Sequence, residues 1–269
     1  MKALVLALLL AAVPAAAATS PEGVDVQKSR LLLLPASTVE KSASQQYGQL
    51  LRAAQEKNAL NRDPRQLERL RNIARQLIPH STRFNKNAQK WRWEVNLISS
   101  KSVNAFCMPG GKIAFFTGIL DSLQLTDDEV ATIMGHEIGH ALLEHGRARM
   151  SEQLLKNIGI SAAAAVFNLG QVSAELLAQA ANLAVSLPYA RKQEADADLV
   201  GMELAARAGY DPRAAVAVWQ KMSRYAQAAG RGQPPQFLST HPSNENRIKE
   251  IEASLPRVLP LFNSSKKAQ

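Results

Sequence analysis

The strongest constraint in this chain is a five-residue run, His136-Glu137-Ile138-Gly139-His140, set inside a segment that reads as one helix. Thr126 with Glu129 three residues later forms a capping box, so a helix is predicted from about Asp127 past His145. At 3.6 residues per turn, positions four apart stack on one face, and both imidazoles can reach a single ion. Glu137 lies one residue round the helix and can act on a water at that ion without taking a coordination site. Two histidines do not complete a catalytic zinc site. That needs a third protein ligand and one open position.

A candidate third ligand lies downstream in Arg191-Lys192-Gln193-Glu194-Ala195-Asp196-Ala197-Asp198, within a predicted helix from Tyr189 to Ala208. Glu194 and Asp198 fall one turn apart on a common face. We assign Glu194 as the third ligand and Asp198 as an acceptor behind it, orienting a ligating imidazole through its other ring nitrogen. Asp196 points elsewhere. Taken alone, this spacing also fits an ordinary acidic helix surface.

The remaining elements form a frame around these residues. Ser37 and Glu40 make a capping box before Val39, Ala43, Tyr47, Leu50, Leu51 and Ala54 at helical spacing. Asp63, Pro64 and Gln66 announce a second helix with the stripe Leu67, Leu70, Ala74, Leu77 and Ile78, stopped by Pro79. Residues 91–99 alternate Trp91, Trp93, Val95 and Leu97 against Arg92, Glu94 and Asn96, a half-buried strand. A Pro109-Gly110-Gly111 turn leads to a short strand from Ile113 to Thr117, and the pair suggests a small antiparallel sheet. Asp211 and Pro212 open a further helix, and a last one is expected from about Asn244 to Ser254.

Composition narrows the class. Hydrophobic residues make up 46% and charged residues 20%, an ordinary globular balance, and a single cysteine excludes an intrachain disulfide or a Cys-rich zinc module. Cys107 is expected to be a small packing residue rather than a nucleophile. Lys2, the apolar run Ala3 to Ala12 and the small residues Ala15 to Ala18 read as an export signal. With no cysteine near the cleavage site, the expected product is soluble and periplasmic, and not a lipoprotein. Residues 157–188 carry one charge, Glu175, but polar residues interrupt every long window, which favours buried amphipathic helices over a membrane hairpin. The net charge of +9 is spread out apart from Arg62, Arg65, Arg69, Arg71 and Arg75, which argues against nucleic acid. That arginine series reads as a solvated face or as an attraction to anionic membrane or acidic polypeptide.

Four motifs in order make the pattern specific: Gly135 to His140, Arg191 to Asp198, the segment Asn104 to Gly118, and Thr240-His241-Pro242 with Arg247. Together, over roughly residues 95–252, they resemble the HtpX-like and CAAX-prenyl-protease-type zinc metallopeptidases, gluzincins of peptidase family M48. The chain departs from the family's usual serine before Arg191, where it has Ala190. The resemblance implies an α+β, mostly helical fold: a zincin-like HExxH helix bundle whose small antiparallel sheet carries an edge strand for substrate. It implies one Zn²⁺ held by His136, His140 and Glu194, with Asp198 and Arg191 supporting the ligands from behind. Glu137 would be the base, and His241 would stabilise the oxyanion or, in closed states, fill the open metal position. Asn104, Ala105, Phe106, Ile113 and Phe115 would form the strand on which a substrate peptide lies extended.

The organisation expected is a signal peptide at 1–18, an N-terminal helical segment at 19–90, a zinc metallopeptidase domain at 91–255 and a polar tail at 256–269. The expected activity is endopeptidase action on unfolded or misfolded exported polypeptide, in protein quality control. Envelope assembly machinery or an anionic membrane surface are the other expected partners. A chaperone-like assembly factor with suppressed proteolysis is the alternative.

Overall fold

The computed structural model describes residues 23–26, 28, 32–155, 190–228, 235–242 and 245–268. The expected leader at 1–18 and the alanine-rich stretch 157–188 lie outside the described residues. No helix among the described residues is long and apolar enough to cross a membrane.

Helix α1 (Ala36–Glu56) starts directly after Pro35, and the Ser37–Glu40 capping box does not form. Glu40 instead accepts a hydrogen bond from Trp91 Nε1 at 2.9 Å, which ties α1 to the segment before the sheet. Helix α2 (Pro64–Leu77) is capped as expected, with Asp63 accepting from Gln66 N at 2.9 Å. Its stripe of Leu67, Leu70, Ile73, Ala74 and Leu77 is buried, because these positions recur every three or four residues on one face. Two 3-10 turns, Ile78–Arg83 and Lys86–Lys90, lead into the sheet.

The sheet has three strands, β1 (Glu94–Ile98), β2 (Ala105–Met108) and β3 (Lys112–Phe116), in the order β1-β3-β2. The expected antiparallel pairing of 91–99 with 113–117 is corrected: β1 runs parallel to β3, and only β2 and β3 are antiparallel. The reason is the intervening strand. The chain reverses once into β2 and again at the Pro109-Gly110-Gly111 turn, where both glycines have positive φ, so β3 regains the direction of β1. The expected half-exposure of β1 also fails. Asn96, Leu97 and Ile98 are all buried, since α1 covers the face opposite the main core and the Tyr47 hydroxyl accepts a hydrogen bond from Asn96 Nδ2 at 3.0 Å.

Helix α3 (Thr117–Leu123) leads to α4 (Asp127–Leu142), whose capping box between Thr126 and Glu129 is complete in both directions. The helix does not run past His145 as expected. It ends at Leu142, the chain turns through Glu144 at φ 57°, and a new helical stretch covers 145–155. Helix α5 (Arg191–Arg207) crosses α4 with backbones in contact. A Cβ on Gly201 would sit 2.6 Å from His136 N, and one on Gly135 would sit 2.8 Å from Gly201 O. Only hydrogen side chains allow this approach.

Helices α6 (Ala214–Ala228), α7 (Gln236–Thr240) and α8 (Glu245–Ala268) complete the described fold. The last helix continues through the residues expected to be a polar tail, because Val258 is buried and Leu255, Leu261 and Phe262 pack on the core. On the far part of α5, fully buried Glu203 accepts from Val24 N at 2.6 Å and Arg207 Nε at 2.7 Å, and its Oε1 faces Arg83 Nε at 2.5 Å.

Candidate metal centre

The α4–α5 crossing brings the two sequence motifs face to face. His136 and His140 project from α4, Glu194 from α5, and His241 from the residue that ends α7. All four are buried, and their donor atoms lie within 4.8 Å of one another. His136 Nε2 is 3.1 Å from His140 Nε2 and 3.2 Å from His241 Nδ1. Glu194 Oε1 is 3.3 Å from His140 Nε2 and 3.1 Å from His241 Nδ1.

Those separations test whether the residues fit an ion. Donors about 2.0–2.1 Å from a tetrahedral centre are separated by edges of about 3.3–3.4 Å. Four of the six donor–donor separations, at 3.1–3.3 Å, match such edges to within a few tenths of an ångström. Imidazole nitrogens this close, buried and aimed at one point, fit a cation better than they fit one another. His136, His140, Glu194 and His241 could therefore hold a cation together.

Partners behind the donors fix their orientation. Asp198 Oδ1 lies 2.9 Å from His136 Nδ1, so His136 turns Nε2 toward the cluster. Burial alone would lower the pKa of His136, but the hydrogen bond and charge of Asp198 raise it. His145 does the corresponding job for His140: its Nδ1 is 3.0 Å from His140 Nδ1, and burial pushes its own pKa down to about 3. Burial holds His140 well below its ordinary value, hence neutral and able to ligate. Burial would raise Glu194, yet hydrogen bonds from His140 and His241 keep it far below the carboxylate range.

Glu137 is set apart from the donors. Its Oε1 is buried with no hydrogen bond, and His241 Nε2 is 3.4 Å away. Burial raises its pKa against the pull of His241 and His136. A carboxyl moved toward neutrality suits a group that must accept and then release a proton.

The comparisons with known proteins agree with this chemistry. Residues 64–255 match the model of peptidase family M48. The chain belongs to that family. The mitochondrial metalloendopeptidase OMA1 of Arabidopsis thaliana is 40% identical over 157 residues, which is 58% of this chain and 30% of the relative. The Escherichia coli metalloprotease LoiP is 29% identical over 168 residues, covering 62% of this chain and 64% of LoiP. A putative beta-barrel assembly-enhancing protease of Vibrio cholerae is 29% identical over 209 residues, covering 74% of this chain and 41% of that protein. The chain spans half or less of the length of the OMA1 relatives it matches.

Within this M48 chain, a groove opens beside the donors, lined by α1, β2, the 145–155 stretch, Glu137 and His241. Asn104, Ala105 and Phe106 line it, on or next to edge strand β2. Ile113 and Phe115, expected on the substrate strand, do not. They belong to central strand β3 and are fully buried, because β3 is paired on both sides. Cys107 also lines the groove, and burial raises its thiol well above the usual value.

Arg191 is the other correction. It is exposed, and the cation behind the ligands is Arg247 of α8. Burial would raise the pKa of Asp198, but the charge of Arg247 lowers it. Spacing within one motif could not reveal a partner arriving from another helix. His145 was missed because a helix running unbroken through 145 would carry it off the ligand face.

Proposed function

We propose that this chain is a zinc-dependent endopeptidase that cleaves unfolded or misfolded exported polypeptides. The observation that carries this reading is the orphaned Glu137 oxygen between the converging donors and the groove. His136, His140 and Glu194 would hold Zn²⁺, which when bound supplies a Lewis acid that polarises the scissile carbonyl and activates water. An extended peptide pairs with the open side of β2 through main-chain hydrogen bonds, and the groove excludes bulk water from the reacting bond. Glu137 accepts a proton from the attacking water and passes it to the amine nitrogen as the peptide C–N bond breaks. His241 Nδ1 lies 3.2 Å from His136 Nε2 and 3.1 Å from Glu194 Oε1, so with a cation bound His241 would have to move aside to admit a substrate carbonyl. From a displaced position its ring N–H is suited to donate to the carbonyl oxygen as negative charge develops.

Support for an envelope setting comes from the leader-like residues 1–18 and from the Vibrio cholerae relative, whose name refers to beta-barrel assembly. Residues 1–18 would act as an export signal delivering the protein to the periplasm. Sequencing the amino terminus of protein recovered from the periplasm tests this, and a product that keeps Met1 or stays in the cytoplasm refutes it. The chaperone-like alternative is not favoured, since LoiP and the OMA1 relatives are named metalloproteases or metalloendopeptidases. Digestion of an unfolded exported protein, with and without chelator, tests the activity. Cleavage that persists after the metal has been removed would refute the assignment.

A further inference from the structure

Arg247 does more in this site than balance charge. It is buried on α8, and its guanidinium lies 3.6 Å from the centre of the Trp219 ring on α6. Nε and Nη2 donate to the two oxygens of Asp198, at 2.6 and 2.9 Å. Nη1 donates to Glu194 Oε2 and also, at 3.2 Å, to the carbonyl of Pro242 beside His241. One planar group thus joins α5, α6, α8 and the turn that carries His241.

These contacts make the two oxygens of Glu194 inequivalent. Oε2 accepts from the guanidinium and lies 3.7 Å from His136 Nε2, whereas Oε1 faces His140 Nε2 at 3.3 Å and His241 Nδ1 at 3.1 Å. A carboxylate with both oxygens free can bind a cation through one or through both, and the second mode adds a ligand. We propose that Arg247 is a positioning residue that confines Glu194 to ligation through Oε1 alone and thereby sets the coordination number of the metal. This inference rests on the metal-centre reading of the four donors. The task needs a rigid fork. Lysine would bring the same charge as a mobile point and could not hold Asp198 and Glu194 at once. The Trp219 face packs against the fork, with Cζ 3.6 Å from the ring centre.

The experiment uses the full chain loaded with Co²⁺, whose visible bands are intense in a four-coordinate site and weaken when a fifth ligand enters. Chelator competition gives the metal dissociation constant in parallel. The unaltered protein is expected to show the intense bands. Arg247→Lys keeps the charge but should lose band intensity and weaken metal binding by about 10- to 100-fold, the usual range for a partner behind a ligand. Trp219→Leu should shift both readouts in the same direction by less. If neither variant folds, a crystal structure of the metal-loaded unaltered protein decides: Glu194 Oε2 should remain on Arg247, outside the metal's ligands. The proposal is overturned if Arg247→Lys matches the unaltered spectrum and affinity, or if both Glu194 oxygens bind the metal. Failure of the unaltered protein to bind Co²⁺ at all would instead overturn the metal-centre reading on which this depends.

Discussion

Asp198 Oδ1 lies 2.9 Å from His136 Nδ1, and this contact decides which ring nitrogen His136 presents to the other donors. Asp198→Asn removes the charge that raises the basicity of the ring and lets the amide dipole turn. Metal affinity should fall by about 10- to 100-fold, measured by chelator competition, with the fold retained by circular dichroism.

Glu137→Gln keeps the size of the side chain and removes its capacity to take a proton. Turnover of an unfolded polypeptide should drop by about 10²- to 10⁴-fold while bound metal stays at one per chain. Full proteolysis by this variant would mean that another group is the base.

The donors on α4 and α5 are spaced by a backbone contact, so a methyl group is enough to disturb them. Gly201→Ala places a Cβ 2.6 Å from His136 N. Overpacking of this kind costs about 1–3 kcal/mol, and metal affinity should fall together with the melting temperature. An unchanged dissociation constant would show that the crossing can widen without moving the ligands.

Thr126→Ala offers a control away from the centre. It deletes the half of the cap on α4 in which Thr126 Oγ1 accepts from Glu129 N, and leaves the backbone N of residue 126 to donate to Glu129 Oε2. Loss of such a cap costs about 1 kcal/mol, a fall of about 2–4 °C in Tm for a chain of this size. Metal affinity should stay within twofold.

Acid should strip the ion. Imidazoles and a carboxylate ligate only when deprotonated, so protons would compete with the cation for His136, His140 and Glu194 and occupancy should fall as pH falls. Dialysis across a pH series with metal analysis checks this, and Tm should fall in step because metal binding is linked to folding.

The histidine pair on α4 was legible because a four-residue interval in a capped helix carries its own geometry. Glu194 and Asp198 were legible as one face for the same reason. What spacing does not carry is the approach of separate elements. Arg191 sits in the motif yet faces outward, while Arg247, more than fifty residues later, completes the pair of carboxylates. The sheet direction was misread because Ala105–Met108, a four-residue strand, was not counted between the two more regular ones. The last helix, expected to end near Ser254, instead continues through Pro256 and Pro260, with the Val258 side chain between them buried against the core.

Glu203 gives α5 a second duty. The helix carries Glu194 near its amino-terminal end and holds Val24 through Glu203 nearer its other end, so one rod links Val24 to the candidate donors. Removing Val24 would strip an anchor from that buried carboxylate and leave Arg83 and Arg207, among the described residues, to hold it. Because Glu203 and Glu194 share this helix, the contact with Val24 fixes the far end of the same element that presents the candidate third ligand.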